Sequence, residues 1–532
     1  MSRFRLEPSR AHALHFVFGA LALVFLAGTA ATLSAPGTRA LPDDVAVVAL
    51  HAEPKSLDPH ATTALNDFRV ITSLYQGLVR FREGSLDIEP SLAERYTVTP
   101  DGLRYEFDLV RHERFHDGTP FDAEAVKFNF ERMLDPRHPF HDTGPFPLAF
   151  FFDAVRSVRV EGRYRVVFEL EEPFAPFLSN LAYPTGFMVS PAAVRRYGKF
   201  FGRHPVGTGP YRFAAWESHH RIVLESTPPQ APFSLIFRPI TDEAARVAEL
   251  RAGSIDLLPE LSADTIASFR KADDFVVHEQ VGPHLWFVIL NARVPPFDDR
   301  RVRRAFNYAV DKRALVEHVL ESTASVADGP IPSAFSWARN PDLEPYPYDP
   351  ERARRLIAES GGIDRELVFQ VPDGGSGMLE PVQMATAIQA DLARVGVSVK
   401  IERFEWNAYL STVNAGLGDS QHMAAMAWMT NDPDTLPFLT LRSGAHPPGG
   451  FNSGYYRNRA VDALIDEAHR ATSRPRRAEL YRRLARLVHD DAPWLFVASS
   501  KQNAVARRNL AGFALEPSFF LSFENVFKRE IF

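Results

Sequence analysis

The sequence predicts an α/β protein built from more than one domain, and three observations carry that reading. The chain has 532 residues, too many for one hydrophobic core, so two or three domains are expected. Period-two and helical hydrophobic patterns are interspersed along its whole length. One stretch reads as a strand–helix–strand crossover, the unit of a parallel sheet: a strand over 367–371, a helix over 381–395 ending at Gly396, and a strand through Val397, Val399 and Ile401.

The other elements follow from the same rules. Tyr105, Phe107 and Leu109 alternate with polar residues after the Asp101-Gly102 turn, and Val166, Phe168 and Leu170 do likewise, so both segments are expected as half-buried strands. Val126, Phe130 and Leu134 recur at helical spacing behind Asp122, a capping residue. Val302, Phe306 and Val310 follow Asp298-Asp299 in the same way, and Asp311 is placed to cap a next helix carrying Leu315, Val316 and Val319. A long helix carries Leu480, Leu484 and Val488 and stops before Pro493. The run Arg300-Arg301 with Arg303-Arg304 is expected to be a solvated helix face.

Composition narrows the function. The formal net charge is −6, without the basic excess that nucleic-acid binding calls for. There is no cysteine, which excludes disulfides, thiolate metal sites and cysteine nucleophiles. Arg3, Arg5 and Arg10 precede an uncharged apolar stretch over 13–33, and small residues follow up to Ala40. This is the pattern of a secretory signal over 1–40, cut after Ala40 or Ala31. The stretch is also long enough for a retained inner-membrane anchor; either reading exports the rest of the chain.

The sharpest enzymatic motif is His112-Glu113-Arg114-Phe115-His116, which matches the H-E-x-x-H pattern of zinc hydrolases. That chemistry needs a helix to bring both histidines to one face. Here a strand pattern runs into the motif and Asp117-Gly118-Thr119-Pro120 breaks the chain after it. Asp432-Pro433-Asp434 is a carboxylate pair suited to acid/base work, or equally to holding a cationic group.

The ordered set of short motifs resembles the bacterial extracellular solute-binding proteins of family 5, the peptide- and nickel-type receptors of ABC importers. The carriers include Ser56-Leu57-Asp58-Pro59-His60, Tyr75-Gln76-Gly77-Leu78-Val79, Phe115-His116-Asp117-Gly118-Thr119-Pro120-Phe121-Asp122, Pro205-Val206-Gly207-Thr208-Gly209-Pro210-Tyr211 and Tyr348-Asp349-Pro350. The resemblance implies a two-lobed binding-protein fold of large type II-like form, with an extra lobe inserted in the first and two hinge crossings, near Gly282 and near Gln502. It places lobe one at 43–80, 205–284 and 503–532, the insert at 81–204 and lobe two at 285–502. It implies no catalysis and no cofactor. It also implies a periplasmic monomer that captures a peptide or other small solute and delivers it to permease and ATPase subunits in the inner membrane.

The family's ligand segment maps onto Trp428-Met429-Thr430-Asn431-Asp432-Pro433-Asp434. Peptide-binding relatives carry an aspartate three residues after this tryptophan to pair with the peptide's amino group; Asn431 stands there, and Asp432 is the candidate substitute. Dipeptide receptors also place an arginine ahead of the helix at 381–395, and none occurs between Arg365 and Arg394. The expected ligand-binding residues are therefore Trp428, Asn431, Asp432 and Asp434, with Trp406 and Tyr409 as aromatic walls. A longer peptide or a non-peptide solute such as a metal chelate, with His446 as a ligand, stays open.

Overall fold

The computed structural model describes residues 44–227, 234–375 and 377–529. The expected signal or anchor segment lies outside them. Among the described residues, no helix is long and apolar enough to cross a membrane.

A mixed sheet of twelve strands runs through both lobes, with the long strand Trp494–Arg507 in its middle. In lobe two that strand pairs antiparallel with His284–Leu290, beyond which lie Met423–Met429, Leu367–Pro372 and Val399–Phe404. In lobe one it pairs with Phe275–Val281 and with Leu257–Pro259, followed by Val45–Leu50 and Ser234–Pro239. All seven residues of His284–Leu290 are buried. A strand flanked on both edges and covered on both faces reads as a continuous apolar run rather than an alternating one, and each such large side chain stabilises the fold by about 1.5–3 kcal/mol.

The predicted crossover is present: Leu367–Pro372 and Val399–Phe404 pair in parallel with Leu367 opposite Val399, bridged by the helix Pro381–Arg394. Asp122 caps the helix Ala123–Leu134, accepting from the Ala125 amide, and Asp299 caps Arg300–Ala309. The helix expected after Asp311 is only one α-turn, Lys312–Ala314, continued by a π-turn over Leu315–Val319. The arginine run is not wholly a solvated face. Arg303 is buried and donates to the carbonyls of Phe297 at 2.7 Å and Asp491 at 2.9 Å, which gives a guanidinium a reason to turn inward.

Four groups of buried side chains hold the molecule together. One fills lobe two, two cover opposite faces of the lobe-one sheet, and one packs the inserted lobe between its four-stranded sheet and the helix Ala123–Leu134. In that small sheet Tyr105 lies opposite Phe168, as the period-two patterns require. The insert is fastened to lobe one by a buried ion pair between Arg132 and Asp58, flanked by His60.

The hinge is formed by two stretches lying side by side. The strand Phe275–Val281 turns through Gly282-Pro283 into the strand His284–Leu290, while Trp494–Arg507 runs alongside both. The Gly282 amide donates to the Ser500 carbonyl at 3.2 Å, tying the two crossings together. A Cβ on Gly282 would fall 1.8 Å from the ring of Phe519, so the position has no room for a side chain. Gly282→Ala is expected to cost about 1–3 kcal/mol of stability through overpacking, read as a lower urea midpoint with an unchanged slope.

Candidate functional site

Between the lobes lies an open cleft of about 1460 Å³. Its lobe-one wall is built at the C-terminal ends of two parallel strands: His51 follows Val45–Leu50, and Glu260 follows Leu257–Pro259. That edge is where open α/β sheets receive ligands, because strand ends and loops leave a crevice there. Thr63 to Asn66, at the start of the helix Leu65–Leu74, complete this wall. The opposite wall comes from His284, the loop at 377–380 and the end of Met423–Met429.

Beside the cleft lies a smaller chamber of about 220 Å³ that all three lobes line. The insert supplies Leu148, Phe150, Phe151 and Tyr183; lobe two supplies Trp428 to Asn431 and Leu439; lobe one supplies Thr63 and Ser518. The walls are mostly apolar, and the polar groups among them are neutral. Thr63, Trp428 and Met429 border both spaces, which places the chamber directly beside the cleft.

The expected site residues divide sharply. Trp428 lies on the boundary of cleft and chamber, edge-on to Phe451 at 5.3 Å. Asn431 lines the chamber, and its Nδ2 donates to Asn180 Oδ1 of the insert at 2.8 Å; Asn180 in turn donates to the Phe151 carbonyl at 2.8 Å. Asp432 and Asp434 face away from the cavities. Asp432 is 1% exposed, forms an ion pair with Arg477 and accepts from Ser179 Oγ of the insert at 2.7 Å. Asp434 accepts from His469 Nδ1 at 2.8 Å and from the Tyr481 hydroxyl at 3.4 Å. Burial works against the Arg477 charge, and the Asp432 carboxylate more than offsets it, so Arg477 stays above its ordinary pKa.

Trp406 and Tyr409 border neither cavity. Tyr409 is fully buried and its hydroxyl donates to the Ala425 carbonyl, while Trp406 stacks on it at 6.1 Å beneath Gly375. They wall the lobe-two core rather than the cleft, because the helix Trp406–Asn414 lies against the sheet there. His446 also lies outside both cavities, bonded to the Tyr456 carbonyl at 3.1 Å. The H-E-x-x-H segment is a tight turn: His112 has φ 68°, Arg114 bridges Pro120, and His116 Nε2 donates to the Gly209 carbonyl at 2.9 Å. Without a helix, the two histidines do not share a face, and the resemblance to zinc hydrolases ends there.

The cleft also holds groups that no local motif pointed to. Glu260 is held between Arg69 Nη1 and His51 Nδ1, each 2.7 Å from its Oε2. Burial alone would raise its pKa, but these two partners draw it below the ordinary carboxylate range. His284, on the cleft wall, accepts from the Ser500 amide at 3.2 Å through Nδ1 and donates to the Gly377 carbonyl at 2.8 Å through Nε2.

The family model described as "Bacterial extracellular solute-binding proteins, family 5 Middle" matches residues 87–447. The chain belongs to this family. Among the relatives of this family 5 protein, the glutathione-binding protein GsiB of Pectobacterium atrosepticum is 30% identical, the alignment covering 94% of this chain and 96% of that one. Heme-binding protein A of Haemophilus influenzae is 32% identical over 85% and 86% of the two chains, and di/tripeptide-binding protein 2 of Pseudomonas aeruginosa is 30% identical over 95% and 98%. The structure of HbpA2 from Haemophilus parasuis superimposes with a TM-score of 0.85 at 27% identity, over 91% of this chain and 100% of that one. The periplasmic DppA of Helicobacter pylori, in complex with the peptide STSA, gives 0.72 at 26% identity over 91% and 98%. The two-lobed fold and the solute-binding role within an ABC importer are thereby fixed, and the family is one of periplasmic receptors rather than enzymes.

Proposed function

We propose that this protein captures a peptide-like solute in the interlobe cleft and delivers it, as a monomer, to permease and ATPase subunits in the inner membrane. On this reading residues 1–40 export it, with 13–33 as the alternative anchor, and the lobe boundaries are those drawn from the sequence. The supporting observation is the chamber shared by three lobes. Its apolar walls, Phe150, Phe151, Tyr183 and Trp428, suit an aromatic or aliphatic side chain, and its neutral polar edge, Thr63, Thr430 and Asn431, suits peptide amides. The relatives that bind glutathione, di- and tripeptides and the peptide STSA agree with that chemistry.

Isothermal titration with glutathione, a panel of di- and tripeptides and hemin tests the reading. Saturable binding of peptides is expected. Binding of hemin alone would replace the peptide reading with that of a non-peptide receptor. Trp428→Ala is expected to weaken the best peptide about 30- to 100-fold, as loss of a buried aromatic anchor costs at least about 2 kcal/mol. An unchanged affinity would move the ligand out of the chamber.

A further inference from the structure

The tryptophan segment leaves one end of the ligand without a partner. Asp432 and Asp434 are committed to Arg477, Ser179, His469 and Tyr481, and neither borders the cleft or the chamber. We propose that Glu260 of lobe one receives the primary ammonium group of the solute, on its free oxygen Oε1; this rests on the peptide-like reading above.

Four observations support the assignment. The charged residues that line the cleft are Glu260, Asp264, Glu321 and Glu380 against Lys501, and the Lys501 ammonium is already bonded to the Ser322 carbonyl at 3.0 Å. A cleft lined by an excess of carboxylates draws in a cation. Glu260 is the one of the four carboxylates set at the end of a sheet strand, where a ligand in this fold comes to rest. It is also built in. Its amide donates to the Asn503 carbonyl at 3.1 Å, the next amide, of Leu261, donates to Asn503 Oδ1 at 2.8 Å, and the residue is held at φ 57° although it is not glycine. Finally, its carboxylate is half used. Oε2 takes Arg69 and His51, while Oε1 meets no donor among the described residues and the side chain is 37% exposed.

The surroundings keep that oxygen anionic without consuming it. Arg69 is 2% exposed and lies beneath Glu260, and Asn66 braces both neighbours, accepting from Arg69 at 3.3 Å and donating to His51 Nε2 at 3.2 Å. A pre-oriented carboxylate loses little freedom when an ammonium binds, which is the condition for a charge-assisted hydrogen bond to add affinity.

The test is titration of glutathione and alanyl-alanyl-phenylalanine, each free and N-acetylated, into the wild type, Glu260→Gln and Glu260→Asp. The wild type is expected to bind the free amines about 10- to 100-fold more tightly than the acetylated forms, the range of a hydrogen bond to a charged group. Glu260→Gln is expected to lose that preference, so that free and acetylated forms bind alike. Should it not fold, Glu260→Asp, which keeps the charge and withdraws it by one methylene, is expected to weaken only the free amines. Equal binding of free and acetylated peptides by the wild type, or an undiminished preference in the variants, overturns the Glu260 assignment and leaves peptide capture standing. No binding of any form overturns peptide capture and the assignment with it.

Discussion

Replacing Asp432 with alanine is expected to lower the free energy of unfolding by about 3–5 kcal/mol, because it strips a buried arginine of its counter-charge. The carboxylate is 1% exposed, and Arg477, ringed by Trp337 and Tyr481 at 5.4 and 5.5 Å, is itself mostly buried. Ser179 Oγ and the Asp434 amide lose their acceptor at the same time. A ligand-contact role would predict something different, an intact fold with lost affinity, so urea titration separates the two. The double replacement Asp432→Leu with Arg477→Met removes both charges and is expected to recover most of the stability. It does not restore the link to Ser179. If that link between insert and lobe two holds the chamber shut, the double variant will be stable and yet release its solute faster than the wild type. Equal release rates would reduce the link to packing.

This division of labour explains what could and could not be read from the sequence. Trp428 and Asn431, which border the cavities, were legible because they lie in one short segment. Asp432 and Asp434 sit in the same segment, but their partners, Ser179, His469 and Arg477, come from elsewhere in the chain. A carboxylate facing a ligand and one facing a buried arginine look alike in sequence. Trp406 and Tyr409 were ambiguous for a similar reason, since an aromatic residue at the start of a helix can pack inward or line a wall. The crossover at 367–404 and the caps Asp122 and Asp299 were legible because periodicity and capping are local. Glu260, His51 and His284 gave no local signal. Only the pairing of distant strands brings the ends of Val45–Leu50 and Leu257–Pro259 to one edge of the cleft.

Acidification is expected to destabilise the protein steeply between about pH 6.5 and pH 4, through two histidines that the fold keeps neutral. Burial draws His60 and His284 each down to about 4. For His284 the hydrogen bond to Gly377 pulls the other way and loses; for His60 the nearby Asp58 carboxylate does. The geometry agrees. Nδ1 of His284 must be unprotonated to accept from the Ser500 amide, and Nε2 of His60 donates to the Phe187 carbonyl at 2.8 Å while its Nδ1 faces the Arg132 guanidinium at 3.4 Å. The unfolded chain takes up these protons near pH 6.5, whereas the folded chain refuses them until about pH 4. The stability each group contributes is therefore fully present above pH 6.5 and is lost as pH falls through this window. At about 1.4 kcal/mol per proton and pH unit, each site is worth on the order of 3 kcal/mol across it. Urea midpoints measured from pH 7.5 to 4.5 should fall with a slope approaching two protons, and His60→Gln or His284→Gln should each remove about one. Because His284 ties the hinge at Ser500 to the loop at Gly377 on the cleft wall, its protonation should weaken solute binding before the protein unfolds. A slope unaffected by either substitution would assign the acid sensitivity to the carboxylates instead.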